Sequence, residues 1–243
     1  METGDLKVKI LGIVATPIKG GNCQYLVEQA LLAAQELGGV ETEVVHLQDY
    51  HIEFCKGCDG CMRRINKIEK ELGRVRPVPV KEYNCGINND DMPILHRKLV
   101  ECDGLIVGAP SYLHHIPGQL RVFIDRCRTF VHDYRLQYKV GGAVGVAFYR
   151  NAGQETLIDD INGFFLAVKM SVVSFGARTV STREGSGTPI KDKRFAVADD
   201  AMGMDQVQEL GARVAEMART VKAGRLALAP RVETAQRVDA LPG

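Results

Sequence analysis

The chain lacks an excess of either charge: 31 Lys and Arg face 30 Asp and Glu, leaving +1 with histidines neutral. That removes the basic surface by which nucleic acid or an anionic membrane is held, and favours small or neutral substrates. It lacks any apolar run near the ~20 residues of a membrane span. Its start, Met1-Glu2-Thr3-Gly4-Asp5, has neither a basic stretch nor an apolar signal core. A cytoplasmic protein with no nucleic-acid and no membrane partner is expected. Internal repeats are missing too. So is a disulfide pattern, because the seven cysteines are odd in number and unevenly spaced. Such usage fits a reducing compartment, where clustered cysteines do metal or redox work.

What the chain has is 243 residues, 45% hydrophobic, enough to bury the core of one domain over 1–228. Within it, Phe54-Cys55-Lys56-Gly57-Cys58-Asp59-Gly60-Cys61 sets three thiols at i, i+3 and i+6. Thiols spaced by two residues turn toward one centre from a tight loop, as in iron-sulfur and zinc sites. A fourth ligand must come from elsewhere, and Cys85 is the nearest candidate, separated from Cys61 by 23 residues. A [4Fe-4S] cluster, spare thiols and zinc are the three readings.

Lys7 to Thr16 is a β-branched apolar run ending at Pro17 and a Gly20-Gly21-Asn22 turn, which predicts a buried strand. Leu26, Val27, Ala30, Leu31 and Ala34 then recur at helical spacing up to Gly38-Gly39. Further strands are expected at Glu41–Leu47, Gly104–Ala109, Gly141–Phe148 and Ser171–Phe175, with helices at Leu95–Glu101, Gln119–Phe130, Thr156–Val168 and Val207–Val221. This alternation predicts an α/β fold with a five-stranded doubly wound parallel sheet. A cysteine-bearing insertion over about 50–92 interrupts it. The stretch Asn66–Asn84, basic and without period, reads as a surface excursion. Ser181–Asp199 is polar enough to lie over a site, and 229–243 reads as a tail that is partly disordered or reaches a neighbouring subunit.

The loops after strands one, three and four should meet at the carboxyl edge of such a sheet. The first, Thr16-Pro17-Ile18-Lys19-Gly20-Gly21-Asn22-Cys23-Gln24, fits neither a Walker loop nor G-x-G-x-x-G, and offers a cradle for a monophosphate. After strand three come Pro110-Ser111-Tyr112-Leu113-His114-His115 and Gly118-Gln119-Leu120, running into Val122-Phe123-Ile124-Asp125-Arg126, and after strand four Ala152-Gly153-Gln154-Glu155-Thr156. Together these loops resemble the flavodoxin-like NAD(P)H-dependent FMN reductase superfamily. Cys55 to Cys61, followed by Cys85 and Asp90-Asp91-Met92, resembles its iron-sulfur flavoprotein branch, although there the fourth cysteine lies only a few residues beyond the third.

The resemblance implies a three-layer flavodoxin-like sandwich and an oxidoreductase carrying non-covalent FMN. Thr16, Lys19, Gly21, Asn22, Cys23 and Gln24 would hold the phosphate. Pro110, Ser111, Tyr112 and Leu113 would line the ring and ribityl chain, and Gly153, Gln154 and Glu155 would approach the ring edge. Tyr112 and His114 would serve as catalytic residues, and Cys55, Cys58, Cys61 and Cys85 would hold a [4Fe-4S] cluster. NAD(P)H or a protein such as ferredoxin would be a redox partner, with a small molecule or protein as acceptor, in a homodimer or homotetramer. The alternative is a clusterless NAD(P)H-dependent FMN or quinone reductase; a non-catalytic electron carrier or redox sensor ranks lower. Among the remaining residues, Asp125-Arg126 reads as a structural ion pair and Cys23 as a stand-in for Ser or Thr. Cys102 and Cys127 read as packing residues, His51 and His96 as surface or cap residues.

Overall fold

A computed structural model describes residues 6–73, 77–80, 83–183, 188–189 and 194–238. The strands are β1 (Val8–Val14), β2 (Val40–His46), β3 (Gly104–Pro110), β4 (Val140–Ala147), β5 (Ser171–Val172), β6 (Ala177–Val180), β7 (Thr182–Arg183) and β8 (Thr188–Pro189). The helices are α1 (Asn22–Glu36), α2 (Gly60–Leu72), α3 (Met92–Glu101), α4 (Gly118–Arg126), α5 (Thr129–Asp133), α6 (Gln154–Ala167) and α7 (Ala201–Val238).

The main sheet runs β2-β1-β3-β4-β5, with β6 also on β4, and its pairs are parallel. Side chains alternate across a strand, and β1 shows the result. Ile10 and Val14 enter one core with Leu26, Val27 and Ala30 of α1 and Val207, Leu210 and Val214 of α7. Leu11 and Ile13 enter the other, with Leu95 and Leu99 of α3, Phe123 of α4 and Leu157, Ile158 and Phe165 of α6. Two cores on opposite faces make three layers, the doubly wound flavodoxin-like sandwich. Each fully buried Leu, Ile or Phe contributes about 1.5–3 kcal/mol of transfer free energy. The strand β2 lies at the edge, and its Glu43 takes Lys9 at 2.8 Å as well as Lys98.

Two sequence expectations need correction. The fifth strand is two pieces on the same edge of β4, separated by Gly176 at φ 130, a conformation that side chains rarely adopt. The aperiodic stretch opens as helix, because α2 runs on through Asn66 to Leu72 and stops at Gly73, whose positive φ of 76 suits glycine. Met62, Ile65, Ile68 and Leu72 mark a helical stripe, although only Ile65 of α2 is buried. The expected tail continues α7 as helical backbone to Val238, while 239–243 lie outside the described residues, as do Arg74, Arg76 and Lys81 of the basic excursion.

Candidate active site and cysteine segment

Strands β1, β3 and β4 end at one edge, and the winding reverses between β1 and β3, where open sheets of this kind take ligands. A cavity of about 490 Å³ opens there. Thr16, Ile18, Gly21, Asn22 and Cys23 form its first wall. Gly21 caps α1 with no side-chain bond to the helix, and the first turn holds no acidic residue. The first-turn N–H groups and the positive end of the helix are therefore left for an anion. The loop is shaped from within, with the Ile18 N–H donating to Thr16 Oγ1 at 3.2 Å and the Gly20 N–H to Gln24 Oε1 at 2.8 Å.

Pro110, Ser111 and Tyr112 form the second wall. Beyond them Leu113 (φ 51) and His114 (φ 70) are both left-handed, and Tyr112 and His115 exchange backbone bonds at 3.0 and 3.1 Å. This is a two-residue hairpin turn of the kind that needs two positive φ values. It is held to its surroundings twice. Ser111 Oγ donates to the Ala152 carbonyl at 2.6 Å, and His115 Nδ1 lies 3.7 Å from Asp160 on α6. Gly153 (φ 88) sits so close that a Cβ there would stand 2.3 Å from His114 Cα. The loops after β3 and β4 thus touch. Val146, Ala147, Phe148, Ser181 and Arg194 close the third wall.

Of the residues singled out in the sequence, Thr16, Gly21, Asn22, Cys23, Pro110, Ser111 and Tyr112 meet at this cavity. Others are engaged elsewhere. Lys19 pairs with Asp49, and Gln24 Nε2 donates to Glu28 at 2.7 Å. Gln154 is buried and shapes its own loop, accepting from the Ala152 N–H at 2.9 Å and donating to the Tyr149 carbonyl at 2.5 Å. Glu155 faces Arg178 at 3.6 Å, and Leu113 stands 95% exposed on the turn beside His114. Sequence reasoning did not find Arg194, whose Nε donates to the Gly20 carbonyl at 3.1 Å and brings a cation to the first wall. Its signal was weak, one arginine in a polar stretch.

The cysteine segment lies to the side, against the α4–α5 corner. Cys55 and Cys58 are exposed, Cys61 and Cys85 partly buried, and all four are free thiols. The chain between Cys61 and Cys85 leaves as α2 and returns. Asn84, 2% exposed, donates from Nδ2 to the Cys61 carbonyl at 3.2 Å and to Thr129 Oγ1 at 3.1 Å. Arg128 pairs with Asp59 at 2.6 Å. The long spacing therefore does not separate Cys85 from Cys61. Among the described residues, however, no three His, Cys, Asp or Glu side chains already converge as a metal site.

Arg126 is not paired with Asp125, which faces Arg121 at 3.2 Å. It pairs instead with Asp90 at 2.5 Å, both side chains being 0% exposed. The same guanidinium donates to the Glu53 carbonyl at 2.7 Å, the Tyr83 hydroxyl at 2.5 Å and the Ile87 carbonyl at 3.0 Å. His96 also departs from expectation. It is buried, its ring packs on Phe130 and Tyr83, and its Nε2 meets the Arg126 carbonyl at 3.1 Å. Burial pushes it down to about 3, so it is neutral.

Burial pushes Cys23 up to about 12 and Cys102 up to about 11, and raises Cys127 well above the ordinary thiol value. Alkylation of metal-free folded protein at pH 8, read by peptide mass spectrometry, is expected to modify Cys55 and Cys58 readily and to spare these three. Ready modification of Cys23 would contradict its reading as a packed stand-in for a hydroxyl.

Comparison with known proteins agrees with this geometry. A family model described as NADPH-dependent FMN reductase matches residues 8–184. An iron-sulfur flavoprotein of Methanocaldococcus jannaschii is 36% identical over 88% of this chain and 100% of its own length. One from Methanosarcina thermophila is 28% identical over 90% and 99%. Among solved structures, an NAD(P)H:quinone oxidoreductase from Methanothermobacter marburgensis superposes with a TM-score of 0.58 at 13% identity, covering 86% of this chain and all of the other. A sheet with its cavity at the β1/β3 switch point, a matched family model over most of the chain and full-length relatives agree: the chain belongs to the NADPH-dependent FMN reductase family, in its iron-sulfur flavoprotein branch, and is a flavin-dependent oxidoreductase.

Proposed function

We propose that this oxidoreductase passes electrons between FMN in the 490 Å³ cavity and a [4Fe-4S] cluster on Cys55, Cys58, Cys61 and Cys85, and onward to an acceptor. The donor set suits both groups. Free N–H groups at the start of α1, with Thr16, Asn22 and Arg194 nearby, suit a phosphate. Pro110 and Tyr112 offer a flat wall for a ring, and four thiols are the soft ligands iron prefers. When bound, the flavin would supply paired electrons and the cluster single ones.

The chain's own part is positional. The turn at Tyr112–His115, braced by Gly153 and Asp160, holds the ring wall, and His114 on that turn would deliver a proton. A nicotinamide or a protein such as ferredoxin would reach that mouth as donor. A homodimer or homotetramer would cover its apolar rim of Leu113, Phe148 and Tyr149.

The observation that supports the cluster is the Asn84 bond to the Cys61 carbonyl, because it returns the residue before Cys85 to the backbone of Cys61. Metal and FMN analysis of protein purified without oxygen is expected to give about four irons per FMN. FMN with neither iron nor zinc would overturn the cluster and leave a clusterless NAD(P)H-dependent reductase.

A further inference from the structure

Arg126 is buried, uses both terminal guanidinium nitrogens in hydrogen bonds while its Nε has no partner among the described residues, and belongs to the last turn of α4 rather than to the cysteine segment. The partners are distributed in a telling way. Glu53 precedes Cys55 by two residues, Tyr83 precedes Cys85 by two and Ile87 follows it by two. One planar guanidinium therefore bonds to the limb that leads into the first three thiols and, from its other nitrogen, to both sides of the fourth. Asp90, which also accepts the Glu53 N–H at 2.9 Å, closes the arrangement.

We propose that Arg126 is the positioning residue of the four-thiol site, fixing the separation between the Cys55–Cys61 limb and the Cys85 limb. The inference rests on reading the four thiols as one ligand set. Arg126 acts by geometry more than by charge, because Asp90 neutralises it in place. The fork matters for that reason. The two terminal nitrogens of a rigid planar fork reach both limbs together, whereas a lysine ammonium is a single point on a flexible stem. Other ties between the limbs lie at their ends, Asn84 to the Cys61 carbonyl and Glu53 and His51 to Asp90 and Asp91, and Arg126 is the side chain that reaches both flanks of Cys85 and the entry to Cys55 at once. The anchor is stiff at its other end, since Phe123, three residues earlier on α4, is fully buried in the core.

The test compares wild type, R126K and Y83F as full-length, FMN-loaded protein. Iron is measured first on protein purified without oxygen. The iron-free forms are then titrated with cadmium, and thiolate-to-metal absorbance reports how many thiolates bind and how tightly. R126K keeps the charge, and Y83F removes one bond on the Cys85 limb, so Y83F remains informative if R126K does not fold. The expected result is retained FMN, a four-thiolate cadmium site in wild type, affinity at least tenfold weaker in R126K, and a smaller loss of a few-fold in Y83F.

Loss of melting temperature in the variants with unchanged cadmium affinity would show a merely structural role and overturn the proposal. So would wild type binding cadmium through fewer than four thiolates. Wild type without iron, combined with the expected cadmium series, would overturn the cluster and leave Arg126 in its positioning role. About four irons in wild type, and the same iron retention and cadmium affinity in both variants, would do the reverse.

Discussion

Asp90→Ala is expected to cost about 3–5 kcal/mol of unfolding free energy, because it leaves a fully buried guanidinium without its counter-charge. In a chain of this size that lowers the melting temperature by on the order of 10 °C. Burial alone would raise the Asp90 pKa. The Arg126 bonds, with the Glu53 and Met92 N–H groups, outweigh burial, and the net direction is down. A carboxyl depressed in the folded state contributes its stability above the unfolded value, about pH 3.9, and loses it as pH falls through the lower folded value. The difference between wild type and Asp90→Ala should thus be full at pH 7 and shrink below about pH 4. His96 adds a separate acid sensitivity. It stays neutral in the fold, so below about pH 6.5 the unfolded chain binds a proton that the folded chain refuses, and stability falls with pH. Urea midpoints at several pH values measure both effects. A loss under about 1 kcal/mol at pH 7 would place Asp90 among ordinary surface pairs.

Gly153→Ala is expected to weaken FMN binding by on the order of 30-fold, or about 2 kcal/mol. Two costs act together. A side chain at φ 88 is strained by about 1–2 kcal/mol, and its Cβ would press on His114 Cα from 2.3 Å. That neighbour is backbone in a tight turn whose Leu113 and His114 already occupy the left-handed region, so it cannot swing aside as a side-chain tip would. The turn must shift, and Ser111 and Tyr112 shift with it, because Ser111 is bonded to Ala152 at 2.6 Å. Fluorescence titration of flavin-free protein with FMN measures the affinity. An unchanged dissociation constant would mean that the contact between these loops does not shape the flavin site.

The legible parts of this chain were those whose physics is local or periodic. The run at Val8–Val14 is apolar save for Lys9 because its strand is covered on both faces, and Leu26, Val27, Ala30 and Leu31 mark one face of α1. Loop composition was enough to bring Thr16, Asn22, Ser111 and Tyr112 to one cavity. What stayed hidden depends on distant partners. The partner of Arg126 lies 36 residues earlier, at Asp90, and adjacency made Asp125 look like its mate. His96 looks like a surface residue until Phe130 and Tyr83 close over it. Gln154 reads as a ligand donor until its amide is found spent on Tyr149 and Ala152. Arg194 comes from a polar stretch whose role depends on where its backbone crosses the Gly20 turn.

The excursion that departs at Cys61 and returns at Asn84 begins and ends within one hydrogen bond of itself. Its contour length is therefore decoupled from the rest of the architecture. Residues can be gained or lost along its outer course without altering sheet register or the flavin cavity, since closing a longer loop adds only about 0.6 kcal/mol per doubling. For a lineage diversifying its redox partners, this is a module that can change its outward face while its root stays fixed. For the engineer, it is the place to graft a reporter or a recognition peptide beside the thiols.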